Sequence, residues 1–413
     1  MMLAQQIKNT NFWFKWCLFN FLLVALVGVL MRYNIWQGLL VFQHKFMQQS
    51  HSHFAFYGWV SAAIYALVYY YFKKLQLAVG FLKYELIMVV NQIGAYGMLF
   101  SFLKGGYYGL SIFFSALSFL AGVLYFIFLV RDTAKQQNTA FIWLKVGAFF
   151  AVFSSIGIFG LSYFTSKRET FEVLYRASMY FYLHFQYNGF FLFSCLGLFF
   201  LYLQSSNIHL PYKKNKNILY LLAVGTFFGY GLSTLWIETP RLLLLFWFFI
   251  AAIQLYSAYL LVSFVYQNKK LLLSTNTILR LFFWVFSAVF VLKFILPFLS
   301  LFPTLTAIAF FNLNIVMAYL HLILLVGFSV FLVWYIFIAY QPKFTPLFTC
   351  SVYLLLLSIL LNELFLAFAG ATALFNFSFI TAPFWLFVSG FLILVALFFV
   401  FLLMKKQKNN EPI

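Results

Sequence analysis

Apolar stretches of about 20 residues, the length that carries a helix across a bilayer, recur from one end of the chain to the other. Short runs bearing Lys, Arg, Pro and Asn separate them. The pattern predicts twelve helical spans near 12–31, 51–72, 85–103, 107–130, 140–163, 178–203, 218–236, 242–266, 278–300, 312–339, 346–369 and 380–404. The longer connections, 32–50, 164–177, 204–217 and 370–379, are too short for a soluble domain, so residues 1–413 read as one all-α, polytopic membrane domain. The first apolar run, Asn11 to Met31, is too long for a signal-peptide core and has no small-residue cleavage site before Arg32 and Tyr33. It reads as a retained helix.

Composition sharpens this reading. The chain is 65% hydrophobic and 8% charged, against roughly 25% charged residues in soluble domains. With 62 Phe residues, most helices are apolar on every face, which makes amphipathicity a poor guide to what faces lipid. The formal charge of +19 is scattered through short loops and the tail, without a basic domain, which argues against nucleic acid as a partner. Counted by side, fifteen Lys and Arg residues, Lys270 and Lys408 among them, fall on the face holding both termini and seven on the other. That bias predicts cytoplasmic termini in a bacterial-type cytoplasmic membrane. Cys17, Cys195 and Cys350 form no CxxC pair and no disulfide framework.

Half of the six histidines begin one short phrase. His53-Phe-Ala-Phe-Tyr-Gly58, His184-Phe-Gln-Tyr-Asn-Gly189 and His321-Leu-Ile-Leu-Leu-Val-Gly327 are separated by 131 and 137 residues and fall on spans 2, 6 and 10. All three spans enter from the outer side, so the imidazoles share the outer half of the membrane, and their recurrence every fourth helix predicts three pseudo-repeated four-helix arcs. Ionisable groups inside a membrane are costly and usually line a site, and imidazole is a common ligand of haem and metals. His53, His184 and His321 are therefore candidate ligands of a haem, or of copper, iron or zinc, and the competing reading is a polar contact between helices. His51 and His53 point to opposite faces of one helix. His53 is the expected inward ligand, because its distance to Gly58 equals that of His184 to Gly189.

Other residues take roles around that set. Gly58, Gly189 and Gly327 would leave a surface flat enough for a macrocycle, or allow close helix packing. Arg32, Arg176 and Arg241 lie at the outer rim, where they could meet carboxylates of a cofactor or lipid headgroups. Lys293 and Glu363, with Tyr187, are candidates for an intramembrane ion pair or proton path, with snorkelling of Lys293 as the alternative. Trp59, Tyr57, Tyr182 and Tyr319 fit the aromatic belt.

Twelve helices, termini inside, and histidines on helices 2, 6 and 10 resemble the catalytic subunit of the haem-copper oxidase and nitric oxide reductase superfamily. The His51-Ser-His53 opening with Gly58-Trp59 after it is similar to NnrS-type membrane proteins. The resemblance implies a subunit-I-like fold, haem b with His53 (or His51) and His321 as axial ligands, and His184 in the copper-ligand position. It also implies a redox or nitric-oxide-related role, oxidoreductase chemistry if the protein is an enzyme, and an electron-donor protein or quinone as partner. The chain departs from the family pattern in having no histidine on span 7 and one rather than two on span 10, so the copper site is incomplete. Twelve spans with internal repeats would also suit a secondary transporter, and a cofactor-free structural homologue fits the same pattern.

Overall fold

The structure is a computed structural model describing residues 2–38, 43–77, 79–165, 167–269, 276–374 and 379–407. Lys270, Lys408 and residues 375–378 of the last long connection lie outside the described residues. Among the described residues eleven helices are long and apolar enough to cross a membrane. We label them α1 (Met2–Gln37), α3 (Phe81–Gly105), α4 (Gly109–Asp132), α5 (Thr139–Thr165), α6 (Glu172–Ser205), α7 (Tyr212–Thr234), α8 (Arg241–Gln267), α9 (Thr277–Leu299), α10 (Leu313–Tyr340), α11 (Pro346–Leu374) and α12 (Ala382–Leu403). The predicted second span is an unbroken helical run, 44–74, labelled α2. Its histidines, glutamines and tyrosines keep its mean hydropathy below that of the other eleven.

The chain divides into two compact units, which do not follow the borders of three four-helix arcs. The first comprises Met1–Leu124, Asn276–Phe286 and Met317–Ile413, and the second Tyr125–Thr275 and Ser287–Val316. In the first, Ala318, Leu366 and Leu386 join α10, α11 and α12 in one apolar cluster. In the second, Leu232, Leu235 and Ala251 join α7 and α8.

Local backbone marks α2, α6 and α10 as a set. Each widens into a π-helical segment at its histidine: Phe54–Ser61 directly after His53, His184–Phe191, and Leu322–Ser329 directly after His321. Such bulges in α-helices are rare and concentrate at functional sites. Each helix also ends beside a residue in the left-handed conformation, Gln76, Asn207 and Gln341 at φ between 52° and 56°. These are the positive-φ residues other than glycine among the described residues. Behind Gln76 and Asn207 the closure is the same: Leu77 N–H donates to Phe72 O at 3.0 Å and Ile208 N–H to Leu203 O at 2.9 Å. That six-to-one bond satisfies carbonyls a helix end leaves open. Both pairs are 131 residues apart, the spacing of His53 and His184.

A π turn frees carbonyls that membrane lipid cannot solvate, so neighbouring side chains must take them. In the first unit Asn20 Nδ2 donates to Gly58 O at 2.6 Å and Asn91 Nδ2 to Tyr57 O at 2.8 Å. Asn20 is held in turn by Gln92 and by the Tyr96 hydroxyl. Trp59 Nε1 donates to Ser329 Oγ at 2.9 Å, and Ser329 donates to Leu324 O, which ties the bulges of α2 and α10 together. Trp59 is therefore a buried strut stacked on Phe21. Tyr57 and Tyr182 are buried as well, so none of these three belongs to an aromatic belt.

Candidate functional site

The stripe Asn20, Val24, Gly28 and Arg32 repeats every fourth residue and so lies along one face of α1. It meets α2. A methyl added at Gly28 would lie 3.2 Å from His51 Cε1; glycine is what lets the imidazole approach this closely. The His51 ring bonds the Val24 carbonyl, while its Nδ1 is buried without a hydrogen-bond partner. Because a carbonyl accepts only from an N–H, the Nε2 side carries the proton and Nδ1 the free lone pair.

His321 is set up the same way by a different carbonyl. Its Nδ1 donates to Met317 O at 2.8 Å, one turn back on α10, which leaves the lone pair on Nε2. An imidazole with one nitrogen fixed on a carbonyl and the other open is the arrangement by which ligand histidines are oriented. His51 and the Arg32 guanidinium both lie within electrostatic range of His321, and Arg32 within that of His51. No carboxylate partners Arg32 among the described residues.

Nδ1 of His53 is likewise buried without a hydrogen-bond partner. His53 faces the other way, stacked on Phe102 with ring centroids 4.5 Å apart and its Nε2 bonded to the Tyr107 hydroxyl at 2.8 Å. Gly58 answers to its own helix: an added methyl would lie 2.7 Å from the Phe54 ring. Gly189 likewise makes room for Phe150, at 2.5 Å. Both glycines admit phenyl rings and neither offers a flat face. Gly327 closes the third π turn, its carbonyl accepting from Val330 N–H.

His184 is closed to a metal. Its Nε2 donates to Thr226 O at 2.9 Å, and its Nδ1 accepts from Ser233 Oγ at 2.9 Å and from Asn188 Nδ2 at 3.1 Å. Among the described residues no three His, Cys, Asp or Glu side chains are grouped to hold a metal ion. Lys293 is buried and donates to Asn188 Oδ1 at 2.6 Å; it does not snorkel. Lys293 belongs to the second unit and Glu363, whose Oε2 is buried without a partner, to the first. Tyr187 is buried inside the π segment of α6. Arg176 lays its guanidinium over Trp236 at 4.3 Å and Arg241 opens α8, so Arg32 is the rim arginine placed beside histidines.

Asn188, Ser233, Gly28 and Asn20 were passed over in the sequence. The fourfold spacing of Asn20, Gly28 and Arg32 was a signal available there. Searched against family models, the chain matches none, and no curated protein matches it.

Proposed function

We propose that this chain is a multi-pass membrane protein that binds one haem b through His51 and His321 and serves a redox role, as a divergent relative of the haem-copper and NnrS-type proteins. The observation that carries the reading is the pair of imidazoles in the first unit, each fixed on a backbone carbonyl with its other nitrogen open, beside an unpaired arginine. Bound haem supplies a reversible one-electron couple. The chain's residues do the rest: Met317 O and Val24 O orient the rings, Gly28 gives His51 room, and Arg32 offers a forked donor to carboxylates such as propionates. Trp59 and Ser329 hold α2 and α10 in register. The shared π turns and left-handed caps of α2, α6 and α10 support twelve spans in three four-helix arcs, and the charge bias supports cytoplasmic termini.

Reduced-minus-oxidised spectra of the purified protein test this. The wild type is expected to show the sharp α band of low-spin haem, lost in His51→Ala and in His321→Ala and kept in His53→Ala and His184→Ala. Loss in His53→Ala with retention in His51→Ala would reject the pair, and a wild type without a Soret band would reject haem.

A further inference from the structure

The second unit buries a lysine at the head of a chain of hydrogen bonds that all run one way. Lys293 donates to Asn188 Oδ1 at 2.6 Å, Asn188 Nδ2 donates to His184 Nδ1 at 3.1 Å, and His184 Nε2 donates to Thr226 O at 2.9 Å. Ser233 Oγ donates to the same Nδ1. This order admits one assignment: Lys293 carries the donor protons and His184 is neutral with its proton on Nε2. Lys293 and His184 are both more than nine-tenths buried. Among the described residues no other charged group acts on either. Tyr230 packs on the His184 ring at 6.0 Å, with its hydroxyl on the Ala177 carbonyl. An ionisable group so deep in a membrane protein marks a proton or ion site by default.

We propose that Lys293 and His184 form a proton-binding site that holds one proton at a time, with the Asn188 amide as the switch between its two states. In the first state Lys293 is the ammonium and Asn188 turns its oxygen towards it. In the second, Lys293 has released its proton to water and His184 Nδ1 has taken one from water. The proton count is unchanged, and the amide carries none. Asn188 must then turn about its side chain so that Oδ1 accepts from Nδ1–H and Nδ2–H donates to the Lys293 lone pair. Ser233 suits both states because a hydroxyl donates or accepts. Joint protonation would set two donors against one amide that has a single acceptor end, and a buried donor left without an acceptor is costly.

Nitrogen-15 magic-angle-spinning spectra of the full chain in lipid vesicles read this directly, with His184 identified by its loss in His184→Gln. In the wild type, spectra showing the Lys293 ammonium are expected to show His184 neutral and protonated on Nε2. Lys293→Met should free the amide and raise the imidazolium form of His184 from absent to dominant as the pH falls; Lys293→Arg should keep it neutral over the same range. Asn188→Leu, which removes the bridge without touching either titrating group, should let both be protonated together. Coexisting ammonium and imidazolium in the wild type, or a neutral His184 at every pH in Lys293→Met, would overturn the proposal.

Discussion

The π segments of α2 and α6 share their sequence phrase, their place on the helix and the cap that follows, yet their histidines are bonded differently. On α2 the phrase histidine, His53, bonds the Tyr107 hydroxyl through Nε2 and keeps Nδ1 open. His51, two residues earlier, meets a backbone carbonyl and a glycine of α1, so one ring nitrogen is fixed and the other left open. On α6 the neighbours offer a carbonyl, a hydroxyl and an amide to His184, and nothing is left over. The segments are also held differently. Side-chain amides take the freed carbonyls around α2, whereas α6 seats against a row of small residues on α5, where Gly147, Gly157 and Gly160 bring the backbones together. A repeated motif therefore fixes where a histidine sits and leaves its chemistry to the surrounding helices.

The sharpest way to break this contrast is to exchange the two environments. Gly28→Leu should push His51 off α1 and abolish the haem binding proposed above, while Ser233→Ala in the other unit leaves the spectrum unchanged; haem retained in Gly28→Leu would show that the open nitrogen is not needed. Packing comes next. A methyl at Gly157 would lie 2.6 Å from both Ser178 O and Tyr182 N, backbone atoms that cannot turn aside. Gly157→Ala should cost about 1–3 kcal/mol, read as a lower midpoint in thermal unfolding in detergent.

Asn20→Leu should cost about 1–3 kcal/mol by leaving Gly58 O and the Tyr96 hydroxyl unpartnered. Unlike Gly157→Ala, it should also speed amide exchange within Phe54–Ser61. The smallest effect is expected for Trp59→Phe, which keeps the stacked ring and loses one interhelical bond, worth about 0.6 kcal/mol on average in membrane proteins. A loss several times larger would mean that the Trp59–Ser329 bridge sets the register of both helices.

Eleven of the twelve spans were legible because length and hydropathy are what the bilayer constrains, and, apart from the start of α1 ten residues early, their predicted limits agree with the helices to within several residues. The histidine phrase was legible too, and it coincides with the π segments. The facing of His51 and His53 was not. Two positions about 200° apart on a helix are told apart by what packs against them, and that information sits on α1, in Val24, Gly28 and Arg32. The role of Lys293 was hidden for the same reason. Its partner Asn188 lies 105 residues away and carries no charge that a sequence pattern would pick out.

One consequence follows from the thirty-four residues of α6. At about 1.5 Å per residue they run roughly 50 Å, against a hydrocarbon core of about 30 Å, and the excess must be taken up by tilt or by turns standing among the headgroups. His184, about 18 Å from the first residue of the helix at that rise, lies within reach of that layer. Acyl-chain length then sets how far its ring is from water. Exchange of the His184 ring proton with deuterium should be faster in short-chain than in long-chain phosphatidylcholine vesicles, and an equal rate in both would place the ring beyond the influence of hydrophobic mismatch.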